Sequence, residues 1–227
     1  MINDILRDLI DTGDVAVFID NVLVGTEDEE KHDKIVEKVL KRMEKSNLYI
    51  KPEKCVWKVK EIDFLGLVTG EEGVKIQEEK VAGILEWPRS KTVKEVQKFL
   101  GLANYYRQFV KDFAKLAKLL HRLIRKDKKW SWKKKQEAVF KKLKRVFIMR
   151  PVLIVPDLDK KMRVEANVSE YATGEVLLMK CENEKWRPVA FISKLLNKAE
   201  RNYEIHDKEM LAIIRCLEEW RHLLKGT

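Results

Sequence analysis

No stretch of this sequence approaches the roughly 20 consecutive apolar residues that a bilayer-crossing helix requires, which argues against a membrane-spanning helix. The opening MINDILRDLIDTGD is acidic where a secretory signal would be basic and then apolar, so the expectation is an intracellular chain, cytoplasmic or nuclear. Cysteine is scarce: Cys55, Cys181 and Cys216 form no CxxC pair, which leaves neither a zinc motif nor a disulfide framework and points to reduced, mostly buried thiols. Internal repeats and low-complexity segments are missing too. The last shortage is local. Residues 115–150 hold fifteen Lys or Arg but only two acids, Asp127 and Glu137, a local charge of +13 against a total of +10, so the rest of the chain carries −3. A positive field concentrated in this way attracts phosphate backbones through counterion release; the bland alternative is a solvated helix face.

The remaining composition, 227 residues with 45% hydrophobic and 37% charged, suits one or two cores with a well-solvated surface. The stretch VFIDNVLVGT reads as a hairpin with Asp20-Asn21 at its tip, a pair suited to a type I′ turn. Residues 29–46 place Ile35, Val36, Val39, Leu40 and Met43 at helical spacing. CVWKVKEIDFLGLVTG, EEG and VKI read as a second hairpin, and hairpin, helix, hairpin implies a helix lying on one small antiparallel sheet. After residue 76 the pattern becomes helical. Thr92 and Glu95 make a capping-box pattern opening TVKEVQKFLGLANYYRQFVKDF, AKLAKLLHRLI follows, and a helix capped by Ser131 would carry an apolar stripe of Ala138, Val139, Leu143, Val146 and Phe147. PVLIVPDLD reads as an extended linker. MRVEANV, GEVLLMK and RPVAFIS read as three strands, and the last helix, from about Asp207, would present Met210, Ile213, Ile214, Leu217, Trp220 and Leu224 on one face.

This order of pieces resembles the polyprotein of gypsy-type LTR retrotransposons, from the late palm of reverse transcriptase through thumb and connection into ribonuclease H. FIDNVLVGT is similar to the polymerase F/Y-x-D-D hairpin, KCVWKVKEIDFLG to the region leading into the primer grip, and KEVQKFLGLANYYRQFVKDFAKLAKLL to the thumb. PVLIVPDLDKKMRVEANVSEYATGEVL and RPVAFISKLLNKAERNYEIHDKEMLAIIRCLEEWRHLL are similar to the connection and the first ribonuclease H strands and helix. The resemblance implies an α+β fold: a truncated palm of β-hairpins plus a helix over 1–76, a helical thumb over 77–127, a connection helix and linker over 128–160, and over 161–227 a partial ribonuclease H-like three-stranded antiparallel sheet with one main helix.

The departures bear on chemistry. In the family two adjacent hairpin aspartates and a third from an earlier strand hold two magnesium ions; Asp20 matches the first, Asn21 stands at the second, and the segment bearing the third would precede Met1. In the ribonuclease H part the first-strand aspartate falls on Asn167, Glu209 matches the helix glutamate, and the chain stops before the segments bringing the other acids. Magnesium is a hard cation that needs anionic oxygens, and a two-metal site needs several. The expectation is therefore no intact catalytic or metal site, only the remnants Asp20, Asn21, Asn167 and Glu209, and no cofactor where the ancestral family uses magnesium. The alternative is a partial or inactivated enzyme with residual metal-dependent activity.

Binding is the expected surviving capacity. In the family the thumb rests on the template–primer duplex, and the matching stretch supplies Asn104, Tyr105, Arg107 and Lys111 beside Lys126, Lys128, Lys129, Lys133, Lys134, Lys135, Lys141 and Arg145, a set suited to non-sequence-specific phosphate contact with RNA–DNA hybrid or duplex. Adjacent tyrosines cannot share one helix face, so one of Tyr105 and Tyr106 should be core, and Trp130 and Trp132 should seat the next helix rather than touch bases. The first ribonuclease H-like strand, Met162 to Val168, is expected to leave an unpaired edge open to a protein partner or a second copy.

Overall fold

The computed structural model describes residues 2–26, 28–125, 129–149 and 151–224. Lys126 and Lys128 lie outside the described residues. The chain forms two compact units, residues 1–59 and 60–227.

In the first unit, α1 (Ile2–Ile5) and α2 (Arg7–Asp11) precede a hairpin of β1 (Val15–Phe18) and β2 (Asn21–Val24), and α3 (Glu29–Lys45) follows. Leu6, Leu9, Val15, Ile35 and Val39 form its buried core. Asp28 caps α3 by accepting the Lys31 N–H at 2.7 Å, so the amphipathic helix begins where its apolar repeat does. Asp14, buried at the base of the hairpin, meets Lys31 Nζ at 2.6 Å and accepts the Thr12 hydroxyl at 3.0 Å, tying α3 to β1. The Lys31 ammonium holds the Asp14 carboxyl below its usual range.

The hairpin turn is not where the sequence suggests. Phe18 pairs with Asn21, so Ile19 and Asp20 are the turn residues and Asn21 is already in β2. Ile19 has φ +57° and Asp20 is not in the positive-φ region, which excludes type I′, a turn that needs positive φ at both central residues. Pairing across the strands set the register here, overriding the turn preference of the Asp-Asn pair.

In the second unit, β3 (Glu61–Phe64), β4 (Leu67–Gly70) and β5 (Gly73–Ile76) form an antiparallel sheet in that order. The reading of one strand through EIDFLGLVTG misses a turn: Leu65 and Gly66, at φ +53° and +79°, give the double left-handed signature of type I′ and split it into β3 and β4. Residues 55–60 are not strand. The two hairpins therefore belong to separate sheets rather than one, because Ile76, Leu67 and Val74 share a core with the helices that follow.

Those helices are α4 (Glu78–Glu86), α5 (Val93–Tyr105), α6 (Phe113–Leu123) and α7 (Lys134–Ile148). Thr92 accepts the Glu95 N–H at 3.2 Å as the capping pattern implies, while the Glu95 carboxylate takes the Lys91 N–H at 2.6 Å. Ser131 does not cap α7: Lys133 is the N-cap residue, its N–H donating to the Gln136 side chain at 3.2 Å. Within α7, Phe140, Leu143 and Phe147 are buried and Val139 and Val146 partly so, whereas Ala138, expected on the same stripe, is exposed. Phe140, which the sequence reading left off the stripe, takes the place of Ala138, because it packs on Phe99 at 4.6 Å between ring centroids and on Trp132 at 5.5 Å.

The expected linker is a stitch. Leu153 makes a two-way bridge with Val74, at 2.6 and 3.0 Å, and Ile154 N–H donates to Pro188 O at 3.0 Å. Both residues are buried, so apolar content, which a free linker lacks, drew this segment into the core. Beyond it β6 (Met162–Val168), β7 (Ala172–Lys180) and β8 (Trp186–Leu195) make an antiparallel sheet in sequence order, with a bulge at Leu177/Leu178. Then come α8 (Ile205–Glu219) and α9 (Arg221–Leu224). The face of α8 that packs on the sheet is Ala212, Cys216 and Trp220, whereas Met210, Ile213, Ile214 and Leu217 point outward. The apolar stripe read from the sequence is thus largely on the wrong side: small residues let the helix approach the sheet closely, and the large ones were left outside.

Candidate nucleic-acid interface and catalytic remnants

Asp20 and Asn21 stand exposed at the end of the β1–β2 hairpin, beside Phe18 and Ile19, which are 50% and 77% exposed. A β-branched residue at positive φ is strained by about 1–3 kcal/mol, so Ile19 holds the hairpin tip in a conformation its side chain opposes. Asn167 is exposed on β6 opposite Gly174, and Glu209 is exposed on α8. The strand register puts Asn167 and Gly174 on the sheet face opposite that of Ala166 and Glu175, and the latter face is the one that α8 covers through Cys216.

Magnesium, which the resemblance implies, can be tested against the donors present. Asp20 offers one carboxylate and Asn21 a neutral amide oxygen; Asn167 offers another amide. Among the described residues no group of three or more His, Cys, Asp or Glu side chains is arranged to hold a metal ion. One carboxylate beside two amides does not fit a pair of divalent cations.

The basic candidates divide into two groups. At the end of α5, Asn104, Tyr105 and Arg107 line a cleft of about 130 Å³ with Gln108, closed by Phe191 on β8 and by Glu219 and Trp220 at the end of α8. Tyr106 is buried and Tyr105 half exposed, as adjacent positions on a helix require. Both hydroxyls serve the β3–β4 turn: Tyr105 donates to Leu65 O at 2.8 Å and Tyr106 to Gly66 O at 3.5 Å. A Cβ on Gly66 would stand 2.9 Å from the Tyr106 hydroxyl, so glycine there serves both the left-handed turn and the close approach. Lys111 is exposed just before α6.

The second group lies on and ahead of α7. Lys129, Lys133, Lys134, Lys135, Lys141 and Arg145 are all exposed. Lys141 is 3.6 Å from Glu137, which also meets Arg89 at 3.5 Å and accepts the Trp132 indole N–H at 2.7 Å. That indole donor, with the Lys141 and Arg89 charges behind it, holds the Glu137 carboxyl below its ordinary value. Lys144 turns inward, donating to Trp87 O at 2.8 Å, and burial lowers its pKa. Trp130 stacks on Trp132 at 5.9 Å, and Trp132 packs on Phe140, so the pair seats α7. Among the described residues Lys129, Lys133, Lys134, Lys135 and Arg145 have no acidic partner, which leaves their charge to solvent or to a polyanion.

Sequence reasoning missed Glu175. It lies on β7 with only 4% exposure, and among the described residues neither carboxylate oxygen is within hydrogen-bonding reach of a well-placed donor. Burial pushes its pKa up. The alternation in GEVLLMK carried the signal, because Glu175 shares parity with Leu177 and Met179. Lys118 was missed as well: its ammonium sits 2.9 Å from the centre of the Tyr171 ring, with the Arg201 guanidinium 6.0 Å from the same ring.

Two family models match the chain: a reverse transcriptase (RNA-dependent DNA polymerase) over residues 1–69 and an RNase H-like domain found in reverse transcriptase over residues 132–227. The Transposon Tf2-7 polyprotein of Schizosaccharomyces pombe is 35% identical over 226 residues, all of this chain and 17% of that polyprotein. The Transposon Tf2-3 polyprotein of the same organism is 35% identical over 213 residues, 94% of this chain and 16% of its own length. The chain thus spans about a sixth of the curated relatives it matches. Among solved structures, a foamy viral protease-reverse transcriptase in complex with RNA/DNA hybrid matches with a TM-score of 0.87 at 23% identity, covering 100% of this chain and 30% of that one. A foamy viral protease-reverse transcriptase dRH in complex with double-stranded DNA matches with the same TM-score and identity, covering 39% of that chain.

Proposed function

Because the chain belongs to the reverse transcriptase–ribonuclease H family of gypsy-type LTR retrotransposon polyproteins, we propose that it acts without catalysis, as a module that holds RNA–DNA hybrid or duplex by the phosphate backbone. The observation that carries this reading is a mismatch of charge. Two amides, Asn21 and Asn167, stand where the family's chemistry needs acids, while Lys129, Lys133, Lys134, Lys135 and Arg145, exposed and without an acidic partner among the described residues, line the start and flank of α7. Phosphate contact needs only cations, which are present; cation capture needs clustered acids, and amides stand at two of the positions this reading assigns to them. The foamy viral relatives of the fold are solved with nucleic acid bound, which supports a ligand of that class here.

A salt series of binding to RNA–DNA hybrid, duplex DNA and single strands tests the binding half. The expected result is affinity that falls steeply as salt rises, with little dependence on sequence; no binding at low salt overturns it. Primer extension and hybrid cleavage in magnesium or manganese test the catalytic half, and turnover by the unmodified chain would sink it. A second reading, residual metal-dependent activity, draws on Asp20 and Glu209, both exposed carboxylates at family positions. N21D and N167D separate the two: a gain of turnover in these variants over a silent parent assigns the silence to the amides.

A further inference from the structure

The spacing Trp130-Ser131-Trp132 sets two indoles two residues apart in a segment that is neither helix nor strand. Their rings stack, with 5.9 Å between centroids and 29° between planes. The two differ in what else they touch. Trp132 packs edge-on against Phe140, donates its N–H to Glu137 at 2.7 Å and lies 5.9 Å from the Arg89 guanidinium. The Trp130 ring has no aromatic or hydrogen-bonded partner besides Trp132 among the described residues, and Trp130 is 37% exposed. Contact with α7 therefore accounts for Trp132 and leaves Trp130 as a large flat surface held by one neighbour and open to water.

Among the described residues the charges beside that surface are of one sign. Lys129 precedes it and Lys133, Lys134 and Lys135 follow, all exposed and without an acidic partner. The acid that comes next, Glu137, is already taken by Trp132, Arg89 and Lys141. A flat apolar ring set among lysines matches a ligand that carries flat rings on an anionic chain, which is the make-up of a single nucleic-acid strand. In a duplex the bases cover one another's faces and offer only their edges; an unpaired base offers its face. An acidic peptide answers the lysines but not the indole.

We infer that Trp130 is a stacking platform for an unpaired base, with Lys129, Lys133, Lys134 and Lys135 meeting the phosphates on either side of it. This rests on the phosphate-binding reading above and adds to it a single-stranded segment held at a stated residue. The platform senses that a base is present and not which base, because every base has a π face. Stacking on Trp132 orients the Trp130 ring before any base arrives, so little side-chain freedom is lost on binding.

The experiment compares two strands of equal length and equal phosphate count, oligothymidine and a chain of abasic residues, by fluorescence anisotropy at several salt concentrations. The parent chain is expected to bind oligothymidine at least about fivefold tighter than the abasic strand. That ratio should hold as salt rises while both affinities fall, since stacking releases no counterions. W130A should bring the ratio close to one. W130F, which keeps a ring, should retain part of it, and W130L, which keeps apolar bulk without a ring, should lose it. Each variant is its own reference on the abasic strand, so a loss of folded protein, which weakens both strands alike, does not move the ratio. Equal binding of the two strands by the parent, or a W130L variant with the parent's ratio, overturns the platform and leaves the phosphate-binding reading standing. Binding of neither strand at low salt overturns both.

Discussion

At the level of single residues the molecule keeps several side chains in positions their own chemistry opposes. Glu175 is the clearest. Its carboxyl is buried on β7 against Cys216, whose thiol burial pushes up to about 12, and among the described residues neither of its oxygens is within reach of a well-placed donor. Burial raises the folded-state pKa above the ordinary 4.5, so the folded chain keeps a proton that the unfolded chain gives up. Stability is therefore full below pH 4.5 and declines as pH climbs through the raised value. Glu175→Gln should flatten that decline and raise the midpoint of thermal unfolding at neutral pH, measured by circular dichroism between about pH 4 and 8, the span over which a raised carboxyl titrates. Unchanged midpoints at both ends would mean that the carboxylate finds compensation. Gly73 marks the opposite case: at φ +123° a Cβ would run into the Leu153 carbonyl oxygen. Gly73→Ala should cost about 1–3 kcal/mol in denaturant unfolding, because the left-handed backbone and the Val74–Leu153 stitch oppose it together.

At the level of elements, amphipathic pattern located the helices and only packing chose which face went inward. In α7 the aromatic anchors Trp132, Phe140 and Phe99 fix the buried stripe, so Lys134, Lys135 and Arg145 are left exposed. Replacing these three by alanine is expected to weaken binding to hybrid and duplex alike and to lower the slope of log affinity against log salt by about one for each phosphate that the variant no longer neutralises. Fluorescence anisotropy across a salt series reads both. Weakening confined to one sequence would instead mean base recognition. In α8 the sequence shows two apolar faces of comparable weight, one small-sided and one large-sided. Close approach to β6 and β7 favoured Ala212 and Cys216, which periodicity has no means of ranking above Ile213 and Leu217. The β3–β4 turn was hidden for a similar reason: Leu-Gly in an apolar run reads as continuous strand until the positive φ at Leu65 is seen.

At the level of the whole molecule, the two compact units carry separate cores. Unfolding in urea should accordingly depart from a single two-state transition, with near-ultraviolet signals from the tryptophans of residues 60–227 changing apart from helical signal contributed by α3. Coincident transitions by every probe would show one cooperative system. The sequence by itself determined the order of pieces, the three ribonuclease H-like strands, the positive flank and the two amides at 21 and 167, because residue identity, periodicity and charge count are local properties. Tertiary structure decided the hairpin turn at Ile19 and Asp20, the stitching of Leu153 into a sheet, the burial of Glu175 and the outward stripe of α8. Each of those depends on which surface a segment meets across the fold, and close packing, not the segment's own pattern, selects among faces of similar apolarity.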